Sequence, residues 1–396
     1  MSGTPPRGAL TPKSPRSPVT ALTSTSKGLG SAIKINTILE DQPSDFGLRP
    51  GTPADVYAIY QKFLANHSIP MPIAAILTLT EVIASSGAGT MFEVVEAMKN
   101  AATVLKAKSP NPISLTAGCD LFIRFVTMSR QDYKDFSAHK ADLVRQGKEY
   151  AATATSCREK IAEHAFGFIK EDAIILTHSY SRVVMQALLR ANKRKRISVY
   201  VTEARPRGLG MKTYDELTAA GIPCTVVLDS AVAYCMDEVD LVLVGSEAVV
   251  ESGGLINAVG TLSMAIIAKA ANKPFYALAE SYKFLRLFPL SQYDLPTHNP
   301  GMLALPSQKP TLLRPRFDSR NNTTIMPTTP RPHAVTTRSS MFFSSTQESS
   351  TMSAEQLDKN PEVDYTRPDL ITLVFSDVGI LTPDGISSFL VGVFAD

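Results

Sequence analysis

The chain has 396 residues, of which 44% are hydrophobic and 19% charged, with a formal net charge of +3. This length predicts about two domains, and no run approaches the roughly 18 uninterrupted apolar residues of a membrane span, so we expect a soluble protein. The start of the chain lacks the apolar core of a secretory signal. Four cysteines without C-x-x-C spacing argue against a zinc site or a disulfide framework and favour a reducing compartment.

The positive charge is concentrated in two segments. Residues 1–40 and 301–350 each carry a net charge of +4, whereas the rest of the chain carries −5. Both segments are rich in Pro, Ser and Thr, and such sequences cannot bury enough apolar surface to offset the entropic cost of ordering. We therefore predict a disordered basic tail at 1–51 and a disordered basic insertion at 301–356. RNA binding by these segments is one hypothesis for their charge.

Residues 52–168 predict an all-helical domain. Apolar residues recur at helical spacing in stripes that begin at Ile73, Met91 and Leu121. Proline- and glycine-containing breaks separate the stripes, at 70–72, 85–89 and 110–112. A long stretch of good helix formers follows, so the pattern predicts four or five helices.

After residue 169 the period changes from helical to strand-like. Short apolar runs occur at 173–176, 197–201, 224–228, 241–244, 275–278 and 371–375. Runs that are apolar throughout are typical of strands buried on both faces. Helical patterns lie between them, at 181–191, 213–220, 260–271 and 386–394. The alternation predicts an α/β fold class, in which a Rossmann-like doubly wound parallel sheet domain at 169–300 plus 357–396 follows the helical domain.

Polar side chains follow each predicted strand, where open parallel sheets bind ligands. Arg182 and Arg205 suit bidentate binding of a phosphate, and Ser181 opens a helix whose N–H groups favour an anion. Glu203 and Asp229 could accept hydrogen bonds from a sugar. The alternative is that loops after strands are polar in any case and that Ser181 only caps its helix.

The common phosphate and catalytic signatures are missing. The sequence has no G-x-G-x-x-G after a strand, and Met211 separates the glycine from the lysine in the P-loop-like stretch 208–213. Ser179 adjoins His178, but neighbouring residues on a strand point in opposite directions, and no G-x-S-x-G motif occurs. We therefore predict no cofactor, no metal and no catalytic residue. The basic run 193–196 suits either a solvated turn at a helix end or a contact for an acidic partner.

Several long, collinear motifs resemble those of the initiation factor 2B alpha/beta/delta family, which is related to sugar-phosphate aldose–ketose isomerases. In the predicted sheet domain they lie at 177–182, 201–206, 244–257, 272–284 and 363–383, and in the helical domain at 71–76 and 117–125. Within that family the alpha subunits are the most similar. The resemblance covers nearly the whole predicted folded chain.

The resemblance implies a regulatory subunit that is not an enzyme. Where the isomerases carry a catalytic cysteine and aspartate, this sequence has Ser179 and Glu247. Serine is a weaker nucleophile than a cysteine thiolate, and the longer glutamate would misplace its carboxylate. The resemblance also departs at two further positions, where a lysine of the isomerases is replaced by Ala258 and a phosphate-side glutamine by Leu209. An active sugar-phosphate isomerase stays the alternative.

Binding of a sugar phosphate or nucleoside monophosphate without turnover is therefore the ligand hypothesis. The predicted ligand-binding residues are His178, Tyr180, Ser181, Arg182, Glu203, Arg205, Asp229, Ser230, Glu247, Asn257, Gly260 and Thr261. The resemblance further implies a cytosolic homodimer that bridges a decamer with the beta, gamma, delta and epsilon subunits. Such a complex exchanges guanine nucleotide on initiation factor 2, and its alpha subunit helps to sense the substrate with a phosphorylated alpha subunit, as in the integrated stress response.

Overall fold

The computed structural model describes residues 53–66, 69–109, 111–129, 135–305 and 352–394. The predicted basic tail at 1–51 lies outside these residues, and so does most of the predicted basic insertion, at 306–351. A short helix, Ala354–Asp358, forms inside the end of that insertion, where we expected disorder, because Ser353 and Gln356 cap it reciprocally. None of the helices in the described residues has the length and apolar character that a membrane crossing requires.

The first part of the described chain is helical, as predicted. Its helices are α1 (Pro53–Ala65), α2 (Met71–Ser85), α3 (Met91–Lys108), α4 (Pro112–Met128) and α5 (Phe136–Phe166). Their starts follow from local side chains: Thr90 and Glu93 form a capping box before α3, and Asn111 and Asp135 cap α4 and α5.

Helix α2 lies at the centre of this helical region. Ten of its 15 residues are buried, because α1, α3, α4 and α5 all pack against it. Two glycines allow close helix approach: a Cβ on Gly118 of α4 would lie 2.6 Å from the Pro72 carbonyl oxygen, and one on Gly147 of α5 would lie 2.5 Å from Thr80 Oγ1. The helices therefore cross at distances that a larger residue would not permit.

The remainder of the described chain forms two sheets with flanking helices. The strands are β1 (Ala173–His178), β2 (Ile197–Thr202), β3 (Cys224–Val227), β4 (Leu241–Val244), β5 (Ala248–Val250), β6 (Leu255–Ala258), β7 (Phe275–Leu278), β8 (Phe284–Leu285), β9 (Val363–Thr366), β10 (Leu373–Ser376) and β11 (Gly379–Leu381). The helices are α6 (Arg182–Asn192), α7 (Gly210–Ala219), α8 (Val232–Cys235), α9 (Thr261–Ala270), α10 (Ala354–Asp358) and α11 (Pro383–Phe394).

The larger sheet has seven strands in the order β11-β10-β7-β4-β1-β2-β3. Six of them are parallel and match the six predicted strands, whereas β11 is antiparallel to β10 at one edge. The chain builds outward from β1 to β3 and then returns to place β4 on the other side of β1. The strand order therefore reverses between β1 and β4, which is where such sheets bind ligands.

A second sheet, in the order β8-β5-β6-β9, was not predicted from the sequence. Its strands contain only two to four residues and pair mainly antiparallel. Segments this short show no strand periodicity, so the sequence pattern does not distinguish them from loops between the longer apolar runs. Val250 and Ile256 of this sheet share a core with Ile113 and Ala117 of α4. The small sheet thus joins the helical region to the larger sheet.

Asp364 on β9 holds the start of α9. Its Oδ2 accepts hydrogen bonds from the amides of Gly260 at 2.7 Å and Leu262 at 3.0 Å. The side chain is buried, and burial raises the pKa of its carboxyl from 3.8 to about 7, although the two amide donors act in the opposite direction. The turn that carries Gly260, at φ 106°, is fixed by this carboxylate.

The close crossing of α2 and α4 predicts a destabilising glycine substitution. We expect Gly118→Ala to lower the free energy of unfolding by about 1–3 kcal/mol, since the added methyl group overlaps the Pro72 backbone. Gly392→Ala on α11 is the matched control: its Cβ meets nothing within 4 Å, so it should be neutral or stabilising by up to about 1 kcal/mol. Urea unfolding followed by circular dichroism measures both, and equal effects would contradict the packing explanation.

The raised pKa of Asp364 predicts a pH dependence of stability. A carboxyl group whose pKa is higher in the folded than in the unfolded chain stabilises most at low pH, and that contribution is lost as the pH rises from about 4 to about 7. Asp364→Asn removes this titrating group. We therefore expect the free energy of unfolding of the variant to rise, relative to that of the unmodified chain, as the pH increases through this window.

Asp369→Asn provides the control, because Asp369 is exposed and pairs with Arg367 at 3.1 Å. Denaturant melts between about pH 4 and pH 8 would measure the difference. A difference between Asp364→Asn and the unmodified chain that does not change with pH would refute the assignment.

Candidate functional site

The ends of β1, β2 and β4 meet at the reversal of strand order. Gly245, just after β4, lies so close to Ser181 that an added Cβ would be 2.2 Å from the serine Oγ. Ser179 and Ala204 follow β1 and β2 with φ values of 60° and 61°, in the left-handed region that non-glycine residues seldom adopt. Such backbone strain is common where loops shape a binding site.

His178 connects neighbouring elements through two internal hydrogen bonds. It is buried; its Nδ1 lies 2.6 Å from Thr202 Oγ1 and its Nε2 lies 2.9 Å from the Val259 carbonyl oxygen. A carbonyl oxygen can only accept, so we assign the proton to Nε2 and let Nδ1 accept from the Thr202 hydroxyl. Burial lowers the pKa of His178, which favours this neutral ring. The imidazole therefore joins β1, β2 and the turn before α9.

The Asp229 carboxylate also forms hydrogen bonds with backbone groups. Its two carboxylate oxygens accept from the amides of Ala204 at 2.9 Å and Arg205 at 2.8 Å. This fixes the loop after β2, from which the exposed Arg205 approaches Glu203 at 3.8 Å. Ser230 is exposed beside it. Arg205, Glu203 and Ser230 thus line the outer part of the rim.

Glu247 is in contact with the helical region. The Ser114 hydroxyl of α4 lies 2.7 Å from Glu247 Oε2 and 2.6 Å from the Glu247 carbonyl oxygen. The residue is therefore occupied by a contact to the helical region. A glutamate is one methylene longer than an aspartate, and that length lets its carboxylate meet a helix in a neighbouring region.

The remaining predicted residues also have internal contacts. Asn257 Nδ2 donates to Thr261 Oγ1 at 3.0 Å, and both residues are buried. Tyr180 donates to Glu216 Oε2 at 3.2 Å and lies under Lys212, whose Nζ is 4.0 Å from the ring centre. These contacts stiffen the walls of the rim.

A cluster of charged residues lies deeper, around Glu280 at the end of β7. The Glu280 side chain is 2% exposed; its carboxylate accepts from Arg158 at 3.1 Å and from the Tyr282 hydroxyl at 3.0 Å, and it forms an ion pair with Lys283 at 3.0 Å. Burial opposes its charge, yet Lys283 and Arg158 hold the pKa of Glu280 well below its usual range. We call Arg158, Arg182, Glu280, Tyr282 and Lys283 the Glu280 cluster.

Arg182 lies beside this cluster at the start of α6. Burial lowers the pKa of its guanidinium, and the positive charge of Arg158 lowers it further, against the opposing effect of Glu280. Arg158 and Arg182 repel each other, and the repulsion is stronger because both side chains are partly buried. A bound anion would reduce this repulsion. Lys283 adds a third cation, and its Nζ also donates to the Ser246 carbonyl oxygen at 2.8 Å.

Only some of the residues around the rim and in the Glu280 cluster could be recognised from the sequence. Glu280 was recognisable as polar at a strand end, but Arg158 lies in a long polar helix where nothing distinguishes it from its neighbours. Ser114 and Lys283 were missed for the same reason, since their contacts are made over 133 and 37 residues of separation. Only the tertiary structure brings them to the rim.

Comparison with known proteins gives a consistent result. The profile of the Initiation factor 2 subunit family matches residues 65–383. The translation initiation factor eIF2B subunit alpha of Dictyostelium discoideum is 37% identical over 344 residues, covering 86% of this chain and 96% of that protein. The ribose 1,5-bisphosphate isomerase of Archaeoglobus fulgidus is 34% identical over 190 residues, 48% of this chain and 59% of the isomerase.

Solved structures share the fold. A chain of the tetrameric eIF2B-beta2-delta2 complex from C. thermophilum aligns with a TM-score of 0.60 at 16% identity, covering 86% of this chain and 93% of that one. The predicted fold class, with a helical region before an α/β sheet region, is confirmed by the elements above and by this similarity. By the extent of the profile match and of the similarity to the Dictyostelium subunit, the chain belongs to the Initiation factor 2 subunit family.

Proposed function

We propose that this protein is the alpha subunit of initiation factor 2B, a regulatory, non-catalytic subunit of the complex that exchanges guanine nucleotide on initiation factor 2. The observation that carries the proposal is the 37% identity to an eIF2B alpha subunit along 96% of that subunit's length. A match that extends across both the helical and the sheet regions indicates a shared role more strongly than a match to one region would.

The geometry around the former catalytic positions supports a subunit without turnover. Ser179 is buried, its backbone is in the left-handed region, and its carbonyl oxygen accepts from Thr213 Oγ1 at 2.7 Å. Glu247 is bound to Ser114, and His178 is held by two bonds. A nucleophile needs an adjacent base, and both ring nitrogens of His178 and the carboxylate of Glu247 are engaged in other contacts.

The rim supports binding of a small phosphorylated ligand. Arg182 and Arg205 provide guanidinium groups for a phosphate, and Glu203 provides an acceptor for sugar hydroxyls. The ends of β1 and β4 flank the crevice between them, where parallel sheets bind ligands. A sugar phosphate fits this combination of cations and acceptors.

Exposed apolar side chains support assembly with other subunits. Tyr234 and Leu290 are 93% and 81% exposed, and Phe288 and Ile266 are also largely exposed. Large apolar groups at a surface commonly mark interfaces. We propose that these surfaces contact a second copy and the beta, gamma, delta and epsilon subunits, in a cytosolic complex that binds initiation factor 2 with a phosphorylated alpha subunit.

Affinity purification tests the proposed assembly. We expect a tagged full-length chain, recovered from the cells in which it occurs, to bring down the four other subunits of initiation factor 2B. Two differently tagged copies should also co-purify, as a homodimer requires. Mass spectrometry against a tag-only control identifies the partners, and recovery of the chain without any of the four would refute the subunit assignment.

Thermal unfolding tests the ligand. A sugar phosphate that binds only the folded chain must raise its melting temperature, by an amount that grows with ligand concentration. We expect such a shift with ribose 5-phosphate, and we expect Arg182→Met to reduce it several-fold because it removes a charge-assisted contact. Arg194→Met, at an exposed position away from the rim, should leave the shift unchanged.

The same preparations separate binding from catalysis. The 34% identity to an isomerase over half of the chain makes isomerase activity the second candidate function. Incubation with ribose 1,5-bisphosphate, followed by product analysis, should show no conversion. Turnover that is lost in Glu247→Ala would establish the isomerase instead.

A further inference from the structure

Residues 259–262, which we call the α9 turn, are connected to both sheets. On one side, Asp364 of β9, in the small sheet, accepts hydrogen bonds from two amides of the turn. On the other side, His178 of β1, in the larger sheet, donates from Nε2 to the Val259 carbonyl oxygen at 2.9 Å. The position of the α9 turn therefore depends on side chains from two different sheets.

The Asp364 carboxyl group has hydrogen-bond partners for one of its oxygens. Oδ2 accepts from the amides of Gly260 and Leu262, whereas Oδ1 is buried and finds no partner among the described residues. The residue as a whole is 8% exposed. A carboxylate at this position would carry its negative charge away from water, which is costly, so burial favours the protonated form.

The elements packed against this part of β9 place no charged group at the carboxyl. β6 contains no charged residue, and the charged residue of α9 is Lys269, in its last turn. The charged neighbours along the chain, Glu362 and Arg367, are exposed and pair with Arg207 and Asp369. Ionisation of the buried carboxyl would therefore receive no help from a cation among these groups.

His178 is the titratable group that faces the α9 turn from β1. Burial lowers its pKa, although the negative charge of Asp229 acts in the opposite direction, so the imidazole is neutral near pH 7. Burial raises the pKa of Asp364 to about 7, against the effect of its two amide donors. Of the two side chains that hold the turn, Asp364 is thus the one that changes its charge near neutral pH.

We propose that the Asp364 carboxyl group is a pH-sensitive switch, whose protonated form holds the α9 turn between the two sheets and whose ionisation opens the turn. Opening breaks the two amide hydrogen bonds, exposes the carboxyl group to water and releases its proton to the solvent. Because a proton is released, the open turn becomes more populated as the pH rises. The switch needs no ligand, so it goes beyond the proposed function and does not depend on it.

Opening of the α9 turn also affects the larger sheet. A Cβ added to Gly260 would lie 2.9 Å from His178 Cε1, so the turn packs directly against the imidazole. When the turn opens, His178 loses the Val259 carbonyl oxygen and keeps its hydrogen bond to Thr202 of β2. The end of β1, and the rim that follows it, are therefore less constrained at the higher pH.

Hydrogen exchange of the full chain between about pH 5 and pH 8, corrected for the intrinsic exchange rate at each pH, tests the switch. We expect opening of residues 259–266 to increase up to about tenfold per pH unit below about pH 7 and to level off above it, since one proton is released per opening. Asp364→Asn keeps the acceptor oxygen without the titrating proton, so its opening should not vary with pH. An equal pH dependence in Asp364→Asn and in the unmodified chain would overturn the proposal.

The same chain provides a matched control at Asp294. Its carboxylate also accepts from two backbone amides, of Leu290 at 2.9 Å and of Ser291 at 2.8 Å, but the residue is exposed. These amides lower the pKa of Asp294, so opening of residues 290–294 should not change between about pH 5 and pH 8. This comparison gives a reading even if Asp364→Asn does not fold. An equal pH dependence in both segments would assign the effect to general loosening of the chain and contradict the switch.

Discussion

The buried Glu280 carboxylate holds the helical region and the sheet region together. It forms an ion pair with Arg158 of α5. It also forms an ion pair with Lys283 and accepts a hydrogen bond from Tyr282, both of which belong to the segment that follows β7. Removing one partner of a buried ion pair commonly costs about 3–5 kcal/mol, because the other charge is left uncompensated. These bonds therefore contribute both to the position of α5, which is also packed in two hydrophobic cores, and to the conformation of the segment after β7.

The rim loops are fixed by carboxylates and an imidazole whose partners are mostly backbone groups. Asp229 binds the amides after β2, Asp364 binds the amides at the start of α9, and His178 joins Thr202 to the Val259 carbonyl oxygen. Each of these side chains supports a strained or left-handed turn. Of the predicted ligand-binding residues, Arg205 and Ser230 are consequently the exposed ones.

Sequence patterns were sufficient for the parts of the fold that repeat. Continuous apolar runs identified the six parallel strands of the larger sheet, and helical stripes identified the helical region, because both patterns follow from burial on known faces. The small sheet was missed because strands as short as Phe284–Leu285 carry no period. Arg158 and the turning of Glu247 toward Ser114 were missed because their partners are distant in the sequence.

Glu247 links the helical region to the sheet region. The resemblance to sugar-phosphate isomerases implies an aspartate where this chain has Glu247. The glutamate carboxylate meets the Ser114 hydroxyl of α4 at 2.7 Å, next to the core that α4 shares with the small sheet. In the proposed non-catalytic subunit, the Glu247 carboxylate serves as a bond between two regions. Under the proposed regulatory role such a bond matters, because a ligand at the rim can act on the helical region only if the two are firmly joined.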